Sequence, residues 1–264
     1  MAKKPRLSDS KLTVVTTAVP GQAQRGEDRV FLTVEANRSV IADKLLSEET
    51  SSRTVGHYEA NAVRYRDGTL HHDVSQNVAA LLNNISGEPP FNILDFGCGP
   101  GRDLKTFRDS GHDATGLDGS RAFVELAKQY SGCEVWLQDF LALDLPTNHF
   151  DGIFANAVLF HVPSAKLDRV LSALHQALKP GGVLFTSNPR GDNREGWNGE
   201  RFGAYFDWRQ WQHYLTTAGF VEIEHYYRPT GLPRAQQPSP APNGLSGTEE
   251  FYEITDSQPC SQHN

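Results

Sequence analysis

Asp95-Phe96-Gly97-Cys98-Gly99-Pro100-Gly101-Arg102 decides how the rest of this chain is read. It follows an apolar run of strand length, Phe91 to Phe96, and opens directly into a helical pattern from Arg102 to Asp109 that stops at Gly111. A strand, a glycine turn and a helix in that order aim the free N–H groups of a helix N-terminus at an electronegative group. Glycines in such a turn let the backbone approach a ligand closely and adopt positive φ. A dinucleotide fingerprint would read Gly-x-Gly-x-x-Gly, yet Arg102 stands where its third glycine belongs. The glycines fall instead at every second residue, with an acid two places before the first. That is a different loop.

Outward from it, strand and helix signals alternate. Ala114 to Leu117 reads as a second strand, and Ser120 caps a helix with Phe123, Leu126 and Ala127 on its apolar positions. Val135 to Leu137 is a third strand; Phe150 to Ala155, after the turn Pro146-Thr147-Asn148, is a fourth. A helix follows from Lys166 to Leu178, with Leu167, Val170, Leu171, Leu174 and Leu178 on one face and Lys179-Pro180-Gly181-Gly182 as its stop. Val183 to Ser187 is a fifth strand, Trp208 to Thr217 a helix closed by Gly219, and Phe220 to Tyr227 a sixth strand. The alternation implies an α/β fold, Rossmann-like and doubly wound, its mostly parallel sheet covered on both faces. Ligands of such sheets bind at the carboxyl ends of the strands, near the switch point. The second strand ends there in Asp118, placed to accept ribose hydroxyls, and in Ser120. The third runs into Asp139, where an adenine amino group can donate, and Phe140, a ring able to stack on a base. The fourth runs on through Asn156 to His161, Val162 and Pro163.

With these residues in place the chain resembles the class I S-adenosylmethionine-dependent methyltransferases, the small-molecule branch of types 11, 12 and 25. The resemblance covers about residues 55–229, and its motifs stand in family order. It implies S-adenosyl-L-methionine as cofactor and methyltransferase activity (EC 2.1.1.-). It further implies that Asp95, Gly97, Cys98, Gly99 and Gly101 cradle the amino-acid end of the cofactor and that Asp118, beside Ser120, holds the ribose. Asp139 and Phe140 would face the adenine, with Asn156 to Val162 closing beneath the methionine chain. Leu178-Lys179-Pro180-Gly181-Gly182 is a family habit as well. The segment Tyr58-Glu59-Ala60-Asn61-Ala62-Val63-Arg64-Tyr65 looks like the family's N-terminal lid, in which Tyr58 and Tyr65 cap the cofactor; their spacing equally suits two rings packed in a core.

Plainer roles stand beside the sharper ones. Asp95 can cap the next helix, Asp118 can serve as a helix N-terminal acid favoured by the dipole, and Asp139 can be an exposed loop acid. Cys98 reads as a small space-filler rather than a nucleophile. His161, at the floor of the expected acceptor pocket, is the catalytic candidate, either as a base or as a packing and hydrogen-bonding residue. His71-His72-Asp73 has no second pair of ligands, so no metal site is expected. In the segment Ser187 to Tyr205, Arg190, Arg194 and Arg201 can grip an anionic acceptor, with Trp197 and Tyr205 as walls. The alternative is a polar loop whose arginines pair with Asp192, Glu195 and Glu200. Methyl transfer itself needs alignment and desolvation, and a base only when the acceptor arrives protonated. The residues therefore do not choose among N-, O- and S-acceptors.

The 264 residues, 38% hydrophobic and 22% charged, are those of a globular protein, and no apolar run reaches the ~18 residues of a membrane span. A net charge of −7 argues against nucleic acid as a partner, and cysteines at unrelated spacings point to a reducing, cytoplasmic setting. Nothing in the pattern fixes an oligomeric state. Residues 1–54 read as a loosely structured N-terminal extension, with short strand-like stretches at Leu12 to Val19 and Val30 to Val34. Residues 55–229 form the methyltransferase-like domain, and 230–264 a Pro/Ser/Gln-rich tail. The family's seventh strand has no evident counterpart, Phe251 to Thr255 being the only later stretch of strand propensity. That gap sustains a second functional reading, a cofactor-binding but catalytically impaired paralogue acting as a regulatory or scaffold partner.

Overall fold

The computed structural model describes residues 27–226. The stretches at Leu12 to Val19 and Phe251 to Thr255, the C-terminal tail, and Tyr227 lie outside the described residues. The chain divides into two units at Asp43/Lys44, and the second carries the sheet and everything considered below. Helix α1, Glu27–Thr69, takes in Val30 to Val34, expected as a strand. A short β-branched stretch with no pairing strand nearby yields to a surrounding run of good helix formers. The boundary expected after residue 54, and the loose structure expected up to it, likewise give way to helix from Glu27 onward.

Five parallel strands form the sheet: β1 Asn92–Phe96, β2 Asp113–Asp118, β3 Glu134–Leu137, β4 Phe150–Asn156 and β5 Leu178–Ser187. Their order is β3-β2-β1-β4-β5, with Ile93 opposite both Ala114 and Gly152. The chain therefore leaves β1 for one side and later returns to its other side, and the switch point lies between β1 and β4. Around the sheet stand α2 Ser75–Asn84, α3 Arg102–Asp109, α4 Arg121–Ser131, α5 Ser164–Ala177 and α6 Trp208–Thr217. Ile93, Phe154, Val183 and Phe185 pack on one face with Val78, Leu81 and Ile85 of α2 and with Phe107. Leu94, Phe96, Ile153 and Leu184 pack on the other with α5 and with Trp211 and Leu215 of α6. Strands buried on both faces read as unbroken apolar runs, which is why the sequence shows them plainly.

Three features differ from expectation. Strand β5 begins at Leu178, opposite Phe150, and absorbs Lys179 to Gly182 in an irregularity before Val183 meets Gly152. Phe220 to Tyr226 pairs with no strand among the described residues: Phe220 plugs the core, while Glu222 takes a bond from Gln212, Glu224 one from Asn84, and Tyr226 donates to Asn77. These side-chain bonds tie the segment to α6 and α2. Third, the polar loop after β5 is an antiparallel hairpin, β6 Arg194–Asn198 and β7 Arg201–Tyr205, turning at Gly199 with φ 62°. Among the described residues no helix is long and apolar enough to cross a membrane.

Candidate functional site

The turn after β1 is built from the backbone outward. Gly97 and Cys98 donate their N–H groups to the Leu117 carbonyl (2.8 and 3.0 Å), which ties the turn to the end of β2. A Cβ at Gly97 would lie 2.3 Å from Val158 Cγ2, and one at Gly101 2.8 Å from Ala127 Cα. Those two glycines permit close packing. Gly99, at φ 51°, is different: a Cβ there would meet only Tyr65, at 3.9 Å. It faces open space.

That space is a cleft at the carboxyl ends of β1, β2 and β4, counted at about 740 Å³ out to its open mouth. Tyr58, Tyr65, Gly97, Gly99, Asp118, Ser120, Asp139, Phe140, Asn156, His161 and Val162 all line it. Asp95, Cys98 and Gly101 do not. Cys98 turns into a core cluster with Leu104, Val124, Ala127 and Val135, and burial raises its thiol pKa well above the usual range. Gly101 packs against α4.

Asp118 is buried, its two oxygens accepting from Gly99 N (2.9 Å) and Ser120 N (2.8 Å). Burial outweighs these bonds and pushes its pKa up to about 6. Asp95 Oδ2 is buried without a hydrogen-bond partner, and burial, reinforced by the Asp103 charge, raises its pKa well above the carboxylate range. Asp139 accepts from Ser51 and from Leu141 N, both at 2.9 Å, and Phe140 packs on Phe96 at 4.6 Å between centroids. Asn156 accepts from Ser187 and Asn77 and donates to Asp103, a network beneath the cleft floor.

Helix α1 roofs the cleft. Tyr58 and Tyr65 meet edge to face at 5.6 Å, each packing on Phe123. Glu59 accepts from the Ser120 hydroxyl (2.6 Å) and Ala122 N (3.0 Å), bonds that hold its pKa low and tie the roof to the start of α4. His161 lies 2.7 Å from the Tyr58 hydroxyl through Nε2 and 2.6 Å from the Phe202 carbonyl through Nδ1. A carbonyl can only accept, so Nδ1 carries the proton and Nε2 accepts from Tyr58. Burial is the first cause of a His161 pKa lowered to about 4, which keeps the ring neutral.

The hairpin residues divide. Arg194 pairs with Asp192 in solvent. Trp197 stacks under Arg53 at 4.2 Å while Arg53 also binds Glu200, so this pair clasps α1 to the hairpin. Glu195 accepts from Ser164. Arg190 sits after β5, outside the cleft lining, and Tyr205 packs toward Phe160 at 6.0 Å. Arg201 is also outside the cleft lining but sits behind it: its Cζ lies 6.0 Å from the Tyr58 ring centroid, its guanidinium donates to Tyr58, and no carboxylate pairs with it among the described residues. Ser51, Thr54, Val55 and Phe123 also line the cleft and were not anticipated. The one-turn spacing of Ser51, Thr54, Val55 and Tyr58 is a helical-face signal that a longer window would have caught.

Residues 93–182 match the family model described as a methyltransferase domain. Residues 93–182 are a methyltransferase domain, on the fold of the class I S-adenosylmethionine-dependent methyltransferases. Sterol 24-C-methyltransferase of Neurospora crassa is 30% identical over 149 residues, 50% of this chain and 38% of that protein. A methyltransferase of Haloferax volcanii, solved with its activator, superposes with a TM-score of 0.62 at 17% identity over 80% of this chain and 100% of its own. The 1,6-didemethyltoxoflavin-N1-methyltransferase of Burkholderia thailandensis, solved with S-adenosylhomocysteine, gives 0.52 at 21% over 92% and 94%. These solved structures share this fold. The chain spans about half or less of the length of the curated relatives it matches.

The residues present fit the family's cofactor. Gly99 leaves open the volume that a side chain would fill, and Asp118 offers a buried carboxylate at the end of β2.

Proposed function

We propose that the chain transfers the methyl group of S-adenosyl-L-methionine to a small molecule by in-line displacement, in a reducing, cytoplasmic setting. The observation that carries this reading is the pairing of Gly99 with Asp118: an open backbone cradle and a buried carboxylate joined by one hydrogen bond at the mouth of the cleft. The cofactor supplies a methyl group already activated on a sulfonium. What the chain supplies is position. Asp118 and Ser120 would hold the ribose, Asp139 and Phe140 the adenine, and Gly97, Gly99 and Asn156 the amino-acid end. Tyr58 and Tyr65 would close over it and exclude water, strengthening each electrostatic contact inside. The relatives named above act on unlike acceptors, so none lends its substrate. Arg201 of β7, half-buried beside Tyr58, favours an acceptor that carries or develops negative charge.

Calorimetric titration with S-adenosylmethionine and S-adenosylhomocysteine tests the reading. Micromolar binding, about −8 kcal/mol, that is lost in Asp118→Ala is the expected result. A folded protein that binds neither would refute it.

A further inference from the structure

Resting on that reading, we propose that Asn77 of α2 and Asp103 of α3 are positioning residues. Through them the Asn156 amide is set as an N–H donor to the carboxylate at the cofactor's amino-acid end. The orientation follows bond by bond. Arg102 grips Asp103 through Nε at 2.7 Å and Nη2 at 2.8 Å. A carboxylate held in this way only accepts, so the Asn156 group that faces Asp103 Oδ2 at 3.2 Å is its NH2. Asn156 Oδ1 is thereby turned toward Asn77 Nδ2 at 3.1 Å and the Ser187 hydroxyl at 2.7 Å, and it accepts from both. The Ser187 oxygen accepts from Ala157 N at 2.8 Å, which leaves its proton for Asn156. Asn77 is oriented in turn by Tyr226, whose hydroxyl donates to its Oδ1 at 3.0 Å. A flipped Asn156 would set oxygen against carboxylate and NH2 against NH2. One orientation satisfies the network.

That orientation selects the ligand group. Both lone pairs of Asn156 Oδ1 are occupied, while Nδ2 keeps one N–H beyond its bond to Asp103. Such a donor suits a carboxylate and not an ammonium, which has only donors of its own. Asp103 does not draw the ammonium in its place, because the Arg102 guanidinium already neutralises it. Asn77, Asp103 and Ser187 are buried, and of this network Asn156 alone lines the cleft. The others act on a ligand through it. A buried amide at position 77 costs free energy that a packed apolar side chain would not, unless its bonds are made; here they hold Asn156.

Two ligands separate this role from a merely structural one: S-adenosylhomocysteine and its decarboxylated analogue, S-adenosyl-3-thiopropylamine, which lacks only the carboxylate. Asn77→Leu keeps the bulk and removes the bond to Asn156. By calorimetry it should weaken S-adenosylhomocysteine about tenfold and the analogue less than about twofold. Asn156→Ala should give the same pattern, and adding Asn77→Leu to it should change affinity by less than about twofold, since the two act as one unit. Should Asn77→Leu not fold, Tyr226→Phe, which leaves α2 intact, should show the same preference for the analogue at a smaller amplitude. Equal losses for both ligands, an unchanged S-adenosylhomocysteine affinity in the single variants, or additive losses in the double variant would overturn the assignment. If the native protein binds neither ligand, the cofactor reading beneath it fails instead.

Discussion

At the level of single residues, glycines a turn apart carry unlike duties. A side chain at Gly97 must strike Val158, whereas one at Gly99 enters open space. Both sit at positive φ, so each alanine variant bears left-handed strain of about 1–2 kcal/mol. Gly97→Ala adds a core clash and should unfold at markedly lower urea. Gly99→Ala should keep most of its stability and lose cofactor affinity by tenfold or more, because its methyl group fills ligand space. Parallel urea and calorimetric titrations separate the two; equal stability losses would contradict the assignment. Asp118 makes a second prediction. Its pKa is raised to about 6 in the fold, so the protonated form is the one the free fold favours. Through this group, stability is greatest below pH 4 and falls as pH rises through about 6, by about 3 kcal/mol in all. Ribose binding needs the ionised form, and the sign therefore reverses for the ligand: affinity should drop about tenfold per unit below pH 6. Asp118→Asn should flatten that profile while binding weakly throughout. The sequence placed Asp118 at its strand end correctly, but not its burial, because the N–H donors around it come from a turn formed only in the fold.

Among the elements, legibility followed burial. The strands of the sheet core are apolar runs, and Arg102–Asp109 and Trp208–Thr217 begin and end where their signals stand. Helix α1 was missed because its inner face meets a cleft rather than a core. Ser51, Thr54 and Tyr58 are polar or amphipathic, so no apolar stripe announces the helix. The β6–β7 hairpin was legible in part: Asn198-Gly199 is a strong turn signal, masked by the charges around it. The joint between these two elements can be tested directly. Thr54 Oγ1 accepts from the buried Phe202 N–H at 3.0 Å. Thr54→Val preserves shape and leaves that N–H unpaired, which should cost about 1–3 kcal/mol. Because Phe202 also supplies the carbonyl that orients His161, the variant should alter the His161 ring resonance too. Arg53→Ala, which removes only exposed contacts, to Glu200, to the Gly199 carbonyl and over the Trp197 ring, should cost less than about 1 kcal/mol. A reversed order of effects in urea unfolding would show that the exposed clasp, not the buried bond, holds the hairpin.

Across the whole molecule, the cleft joins parts distant in sequence: the roof helix, the ends of β1, β2 and β4, and the segment after β3. A ligand in contact with all of them binds the folded chain and has no counterpart site in the unfolded one. Its binding free energy therefore adds to the stability of the fold as a unit. At a hundred times its dissociation constant, S-adenosylhomocysteine should add about 2.7 kcal/mol. For a domain of this size that corresponds to a rise in Tm of about 5–10 °C. NAD should produce no shift, since Arg102 occupies the third glycine position its loop requires. Asp118→Ala should abolish the response to S-adenosylhomocysteine while retaining a cooperative transition. A shift with NAD, or an undiminished shift in the variant, would place the ligand elsewhere than the carboxyl ends of β1 and β2. A shift confined to S-adenosylhomocysteine and dependent on Asp118 would tie the fold's stability to the one site where its strand order reverses.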